Sequence, residues 1–389
     1  MVPFHGQGMN CGLEDVLALA RHLARPQPLD AALQAYAEER RPNAGAIQAM
    51  ALENYVEMRE RVRAADYQLE RQLAAWLEAR HPGRFVPRYS MVTFSCLPYA
   101  TAFARGEVQA RLLREAVKGC ERFEQIDLAK AERHSLAPGF AETLQRYHRD
   151  SRAAEALCGP AEVLPYGPSP REKVLLLPAP QPARATLVYV HGGYWQELSA
   201  EDSLFPAPGL HAQGYDLAAV GYRLAPEARL EQIVEQVASA LLQLRTALLA
   251  RGRVPHLILA GSSAGAHLVA MMLSHPWEGP PPFQAALLVS GIYELAPLIG
   301  TYIDQPLQLT VARAAALSPL RRVPSCEVPV ALAWGERETD AFQQQSRAMA
   351  RHLARYLPVT AVQPCAGRDH FDILFDLTES ASPLGRCLA

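Results

Sequence analysis

The spacing of hydrophobic positions changes partway along the chain. Near the start, in GLEDVLALARHLARP, Leu13, Val16, Leu17, Ala20 and Leu23 recur three and four residues apart, and Pro26 closes the run. That pattern predicts a helix with one apolar face turned towards a core. Helical spacing continues through DAALQAYAEERRPNAGAIQAMALENYVEMRERVRAADYQLERQLAAWLEAR, with a break expected near Pro42. FVPRYSMVTFSCLPYA reads as a short extended piece, and a further helix is expected over 102–118, ended by Gly119.

After that the pattern alternates. ATLVYVHGG, DLAAVGYRLA, HLILAGSSAG, QAALLVSGIY, VPVALAWGE and VTAVQPCAG are short apolar runs separated by helical stretches such as EQIVEQVASALLQLRTALLARG and DAFQQQSRAMARHLARYL. Continuously apolar strands between helices predict an α/β fold, a mostly parallel sheet with helices on both faces. The Pro-rich YGPSPREKVLLLPAPQPARA suits hairpin turns opening that domain. Two domains are expected, a mainly helical one over 1–120 and an α/β one over 121–389.

Composition adds mostly exclusions. With 49% hydrophobic and 20% charged residues among 389, the chain has ordinary globular character. The net charge of −2 and the interleaving of acids with arginines leave no basic stripe, so no nucleic-acid partner is expected. The seven cysteines are odd in number and never in CxxC spacing, which argues against a disulfide framework and against a metal site. The first residues lack the basic-then-apolar pattern of an export signal, and no apolar run nears the roughly 18 residues of a membrane span. A cytoplasmic protein with no membrane association is the expectation.

The candidate chemistry lies in HLILAGSSAGAHLVAMMLSH, where Gly261, Ser262, Ser263, Ala264 and Gly265 form Gly-X-Ser-X-Gly between a strand and a helix. Small neighbours let strand and helix meet at a sharp corner that lifts the central hydroxyl, Ser263, off the sheet. The same corner puts the Ala264 N–H and the positive helix end beside a reacting carbonyl. Ser262 is structural on this spacing. Upstream, an earlier strand ends in His191-Gly192-Gly193-Tyr194-Trp195, where backbone N–H groups of Gly192, Gly193 and Tyr194 are the other oxyanion donors expected. His191 is read as a loop-fixing residue, and Trp195 as either core packing or a substrate wall.

A serine nucleophile needs a histidine base and a carboxylate to orient it. His370 follows the last strand in QPCAGRDHFDIL and is the expected base; His267, His275 and His352 lie on helices. The acid should follow the preceding strand, where Glu338 is favoured by spacing and Asp340 is the reserve. Asp369 and Asp372 read as turn or cap residues. Trp195 and Tyr302 are the candidate substrate-binding residues, with Tyr194, Tyr293 and Asp304 as further possibilities.

His191–Trp195, Gly261–Leu268, Gln345-Ser346 and Asp369-His370-Phe371 together resemble kynurenine formamidase (arylformamidase), within the α/β-hydrolase superfamily, over about residues 125–389. The resemblance implies hydrolysis of N-formyl-L-kynurenine to L-kynurenine and formate; family members often carry Asp where Glu338 stands. The first domain resembles something else. MVPFHGQGMNCGLED, ENYVEMR and RYSMVTF are similar, in order, to late segments of kynurenine 3-monooxygenase, a flavoprotein hydroxylase, over about residues 1–115. Asn54 and Tyr89 fall where that family contacts kynurenine. No strand–GxGxxG–helix unit accompanies them, so neither FAD binding nor hydroxylation is expected, and Asn54 and Tyr89 are expected as remnants packed among helices. The chain is expected to begin on an internal stretch of a larger fold, through an internal methionine or as the remnant of a two-enzyme fusion. A homodimer or association with a separate flavin domain is the partner expectation. The rival readings are a broad carboxylesterase, a non-catalytic ligand- or partner-binding protein, and a truncated piece of a bifunctional monooxygenase–formamidase.

Overall fold

The computed structural model describes residues 7–82, 85–128, 130–132, 137, 139–253, 255–301 and 303–388. The chain divides into two compact units, Met1–Pro138 and Gly139–Ala389. The division falls after the expected 120/121 boundary because the intervening residues belong to the core of the first unit. Ile126 and Ala131 are buried with Leu69, Leu73, Leu77, Phe85, Leu113 and Val117, and Glu132 bonds Arg80 Nε at 2.8 Å.

In the first unit, helices span Gly8–Leu23, Leu29–Val56, Ala65–Arg80, Arg88–Phe94 and Tyr99–Val117. Four expectations are corrected. Pro42 lies inside the second helix and does not break it. A proline in a helix interior costs about 3 kcal/mol; burial of the apolar Ala46, Ile47 and Met50 just beyond it offsets that cost. The break comes later, at residues 62–64, after a wide turn over Glu57–Arg61. RYSMVTF is helical rather than extended. Its strand-like residues yield to the burial of Met91 and Val92 against Ile47, Met50 and Tyr99, a case of tertiary packing overriding local propensity.

The third correction concerns the first helix. Its apolar periodicity is real, yet Leu13, Val16 and Leu17 are 58%, 65% and 69% exposed. The edge that packs carries Cys11, Ala18 and His22 instead. It is held by Arg40, which bonds Asp15 at 2.6 Å, and by His22, which bonds Glu39 at 2.8 Å. Asn54 and Tyr89 line a shared cavity of about 190 Å³ with Tyr67, Phe85 and Arg88, rather than packing tightly among helices.

Among the described residues, the second unit is built on eight strands: β1 Glu162–Pro165, β2 Lys173–Leu177, β3 Ala185–Val190, β4 Tyr215–Val220, β5 Leu257–Ser262, β6 Ala285–Val289, β7 Val330–Gly335 and β8 Val359–Cys365. Their order across the sheet is β1-β2-β4-β3-β5-β6-β7-β8. β1 and β2 form the antiparallel hairpin expected from the Pro-rich segment, β2 pairs antiparallel with β4, and every later pairing is parallel. All six apolar runs are strands.

β3, β4, β5 and β7 are buried at every residue, as a sheet covered on both faces requires. Alternate residues feed opposite cores. Val188, Val190, Leu257 and Leu259 join one, while Leu187, Tyr189, Ile258 and Ala260 join the other. The Leu230–Ala250 helix is long and apolar enough to cross a membrane by length and composition, contrary to expectation. Ile233, Val237, Leu241, Leu244 and Leu248 are buried in the first of these cores, so it is a core helix.

Candidate active site

The site is centred on the corner between β5 and the Ala264–Leu273 helix, where one residue separates strand from helix. Ser263 occupies it with φ 54° and ψ −119°, a left-handed conformation that costs a non-glycine residue energy and is held by its surroundings. The Ser263 N–H donates to Val289 O on the neighbouring strand at 2.9 Å, and Ser263 O accepts from His267 N at 3.1 Å. Glycine is required on both sides. A Cβ on Gly261 would lie 2.5 Å from Gly265 O, and one on Gly265 would overlap the Val190 carbonyl. Ser262 turns away into a bond with Tyr189 Oη at 2.8 Å, a structural role.

His370 arrives on the loop after β8. Its Nε2 lies 3.0 Å from Ser263 Oγ and its Nδ1 lies 3.3 Å from Glu338 Oε2. Three residues far apart in the chain thus form one hydrogen-bonded relay. The histidine loop is braced by Asp369, whose Oδ1 accepts from Phe371 N at 2.8 Å and Asp372 N at 2.9 Å. Asp372 returns the favour to Asp369 N at 2.7 Å, so both aspartates are turn residues. Phe342 stacks at a tilt on the imidazole, 4.1 Å between centroids. Tyr147 Oη donates to Phe371 O.

Geometry separates the two candidate acids. Glu338 is 2% exposed and reaches His370. Asp340 is exposed at the first turn of the Asp340–Leu353 helix, just after its Thr339 cap.

The His191–Trp195 loop follows β3 directly beside the corner. A Cβ on Gly192 would sit 2.9 Å from Ser262 O and 3.1 Å from Ser263 Cβ, so only glycine lets the loop come this close. Gly193 has φ +89°. Ala264 is the first residue of its helix, a position whose N–H has no intrahelical acceptor. His191 is a loop-fixing residue. Its ring stacks on Tyr222 at 4.1 Å, its Nδ1–H donates to Gly192 O at 3.0 Å, and burial pushes its pKa down to about 4, so it stays neutral. Tyr222 Oη donates to His191 O at 2.8 Å and fixes the loop from behind; no motif marks this tyrosine.

The substrate-binding candidates fare differently. Trp195 is core packing, not a substrate wall: it is 0% exposed and edge-on to His267 at 4.9 Å. Tyr293 is fully buried over Gly291. Asp304 is committed to its own loop, accepting from Gly300 N at 3.0 Å and Leu309 N at 2.6 Å. Tyr194 is part-buried against the core. Tyr302 lies outside the described residues. Gln345, singled out only within a motif, accepts from Tyr293 N at 2.5 Å and Glu294 N at 2.7 Å and ties down the loop after β6.

An activated serine beside a histidine–carboxylate pair, facing a glycine loop and a helix N-terminus, has the parts needed for acyl transfer to serine and then to water. Comparison with known proteins agrees on the architecture. A family model described as the alpha/beta hydrolase fold matches residues 187–371, and the second unit has that fold. A crystal structure from Silicibacter sp. TM1040, provisionally named a thioesterase, superposes with a TM-score of 0.58 at 25% identity, covering 66% of this chain and 97% of that one.

A second set of relatives is of another kind. The chain is 51% identical over 140 residues to kynurenine 3-monooxygenase of Stenotrophomonas maltophilia, which is 36% of this chain and 31% of that protein. It is 53% identical over 127 residues to the enzyme of that name from Xanthomonas campestris, 33% of this chain and 28% of that one. The chain therefore spans about a third of the length of these curated relatives. An α/β-hydrolase fold and a partial kynurenine 3-monooxygenase-like region stand together in one chain.

Proposed function

We propose that this chain is a serine hydrolase that cleaves N-formyl-L-kynurenine to L-kynurenine and formate. The observation that carries the hydrolase reading is the relay from Ser263 Oγ through His370 to Glu338, with spacings of 3.0 and 3.3 Å. The substrate reading is supported by the company the hydrolase keeps. A region half identical to enzymes named for kynurenine accompanies a unit whose motifs resemble the formamidase that releases kynurenine.

In this reading Ser263 Oγ attacks the formyl carbon while His370 Nε2 takes its proton. The oxygen that becomes negative is held by N–H groups of Gly192–Tyr194 and of Ala264. His370 then gives the proton to the aryl nitrogen, because an anilide anion is too basic to leave alone. The C–N bond breaks, and L-kynurenine departs with a neutral amine. Water, deprotonated by His370, attacks the formyl-serine ester; its collapse frees formate and returns the proton to Ser263.

The test is kynurenine formation followed by absorbance, for wild type and Ser263→Ala. A loss of about 10⁴-fold or more in the variant is expected. Full turnover by Ser263→Ala would overturn the mechanism. A second reading, an esterase or thioesterase of wider scope, draws on the likeness to the Silicibacter structure. It requires kcat/KM for p-nitrophenyl acetate or an acyl thioester to exceed that for N-formylkynurenine; the formamidase reading requires the reverse.

A further inference from the structure

We propose that Ser290 is a positioning residue for the Glu338 carboxylate; the proposal rests on the reading of Ser263, His370 and Glu338 as a triad. Ser290 directly follows β6, the strand that lies between β5, which carries the nucleophile, and β7, which carries the acid. It is 1% exposed, and its backbone is left-handed, with φ +52°. For a serine this is an unfavourable conformation that its surroundings must maintain.

The bonds explain what is maintained. Ser290 N–H donates to Ala333 O on β7 at 2.8 Å. Its hydroxyl donates to Glu338 Oε1, the same oxygen that accepts from Gly335 N at 2.6 Å. An ionised carboxylate only accepts hydrogen bonds, so two donors converge on Oε1 and leave Oε2 facing His370 Nδ1. Glutamate has one more rotatable bond than aspartate. A buried glutamate in this role needs its carboxylate plane fixed from the side away from the histidine, and the Ser290 hydroxyl is the side chain that does so.

The loop beyond is anchored at its next residues. Gln345 Oε1 accepts from Tyr293 N and Glu294 N, Ser318 Oγ accepts from Leu295 N at 2.8 Å, and Tyr293 covers Gly291, where a Cβ would overlap its ring. Just before Ser290, Val289 O holds the Ser263 N–H at 2.9 Å. The dipeptide Val289-Ser290 therefore touches both ends of the relay, fixing the nucleophile by its carbonyl and the acid by its hydroxyl.

The test uses the full chain, with Ser290→Ala, Ser290→Gly, Glu338→Ala and the double variant Ser290→Ala/Glu338→Ala. Two readouts are independent of the natural substrate: the rate at which a fluorophosphonate labels Ser263, and kcat and KM for p-nitrophenyl acetate. Hydrogen bonds to charged groups are strong enough that losing this one should lower kcat on the order of 10- to 100-fold, with KM unchanged. Ser290→Gly, which relieves the backbone but also lacks the hydroxyl, should fall equally. In the Glu338→Ala background, removing the Ser290 hydroxyl should cost less than about 2-fold, since residues acting as a unit are not additive. Wild-type rates in Ser290→Ala or Ser290→Gly, or an undiminished effect in the Glu338→Ala background, would overturn the proposal. Absence of labelling in the wild type would instead defeat the hydrolase reading itself, and the proposal with it.

Discussion

Replacing Glu338 by glutamine tests the relay with almost no change of shape. Glu338 Oε1 accepts from Gly335 N–H at 2.6 Å and from the Ser290 hydroxyl. The glutamine amide must keep its oxygen at that position, because turning it would set an NH₂ against the Gly335 N–H. The NH₂ then faces His370 Nδ1, 3.3 Å away in the native protein. It donates to Nδ1 and drives the imidazole proton onto Nε2, the nitrogen that lies 3.0 Å from Ser263 Oγ. A protonated Nε2 cannot accept the serine proton, so the base is lost while every neighbour keeps a partner.

Fixing the wrong tautomer in a Ser–His–acid triad costs about 10⁴-fold in kcat, roughly 5.5 kcal/mol in the barrier. The assay is p-nitrophenyl acetate and N-formylkynurenine hydrolysis at pH 7, with thermal unfolding as the control for an intact fold. Asp340→Asn, at an exposed helix start, should stay within about 2-fold of wild type. A Glu338→Gln enzyme within 10-fold of wild type, or a large loss in Asp340→Asn, would refute the assignment of the acid.

Three further outcomes are expected. Leu73→Ala, at a fully buried position of the first unit, should lower stability by about 2–5 kcal/mol. Leu17→Asp, on the exposed face of the first helix, should cost about 0.5 kcal/mol; equal shifts in urea midpoint would show that this face is covered after all. Stability should also fall in acid. Burial pushes the pKa of His267 down from 6.5 to about 4, so between those values the unfolded chain binds the proton more readily. The stabilisation present above pH 6.5 is lost as pH drops towards 4, by on the order of 2–3 kcal/mol. His267→Gln, which keeps a donor for Leu317 O, should flatten the acid side of a plot of melting temperature against pH; an unchanged slope would count against the assignment.

Much of the second unit was legible along the chain because its signals are local. Six apolar runs became strands, and the small residues around Ser263 marked the corner, because a sharp strand-to-helix turn excludes side chains at Gly261 and Gly265. His370 followed from its place after the last strand. Trp195 could be read as core or as wall, since an indole has the same sequence signature in both; its complete burial decides.

The first unit was less legible, for a reason visible in its first helix. Leu13, Val16 and Leu17 recur with helical spacing, and that spacing specifies a helix with an apolar face whether or not anything covers it. Periodicity is a property of the segment, whereas burial is a property of everything folded around it. RYSMVTF is the same lesson in reverse, strand-like residues made helical by the core they enter.

By itself, then, the sequence determined the element types of the sheet unit and marked Ser263 and His370 as the candidate nucleophile and base, because each depends on residues within one short segment. Spacing favoured Glu338 and kept Asp340 in reserve, but only the tertiary structure showed that Glu338 reaches His370; it also brought Ser290 and Gly335 onto one carboxylate oxygen and set Tyr222 behind the glycine loop. These are meetings of strands and loops dozens of residues apart. A carboxylate two positions along the chain differs little in sequence, but in space only one of the two reaches the histidine.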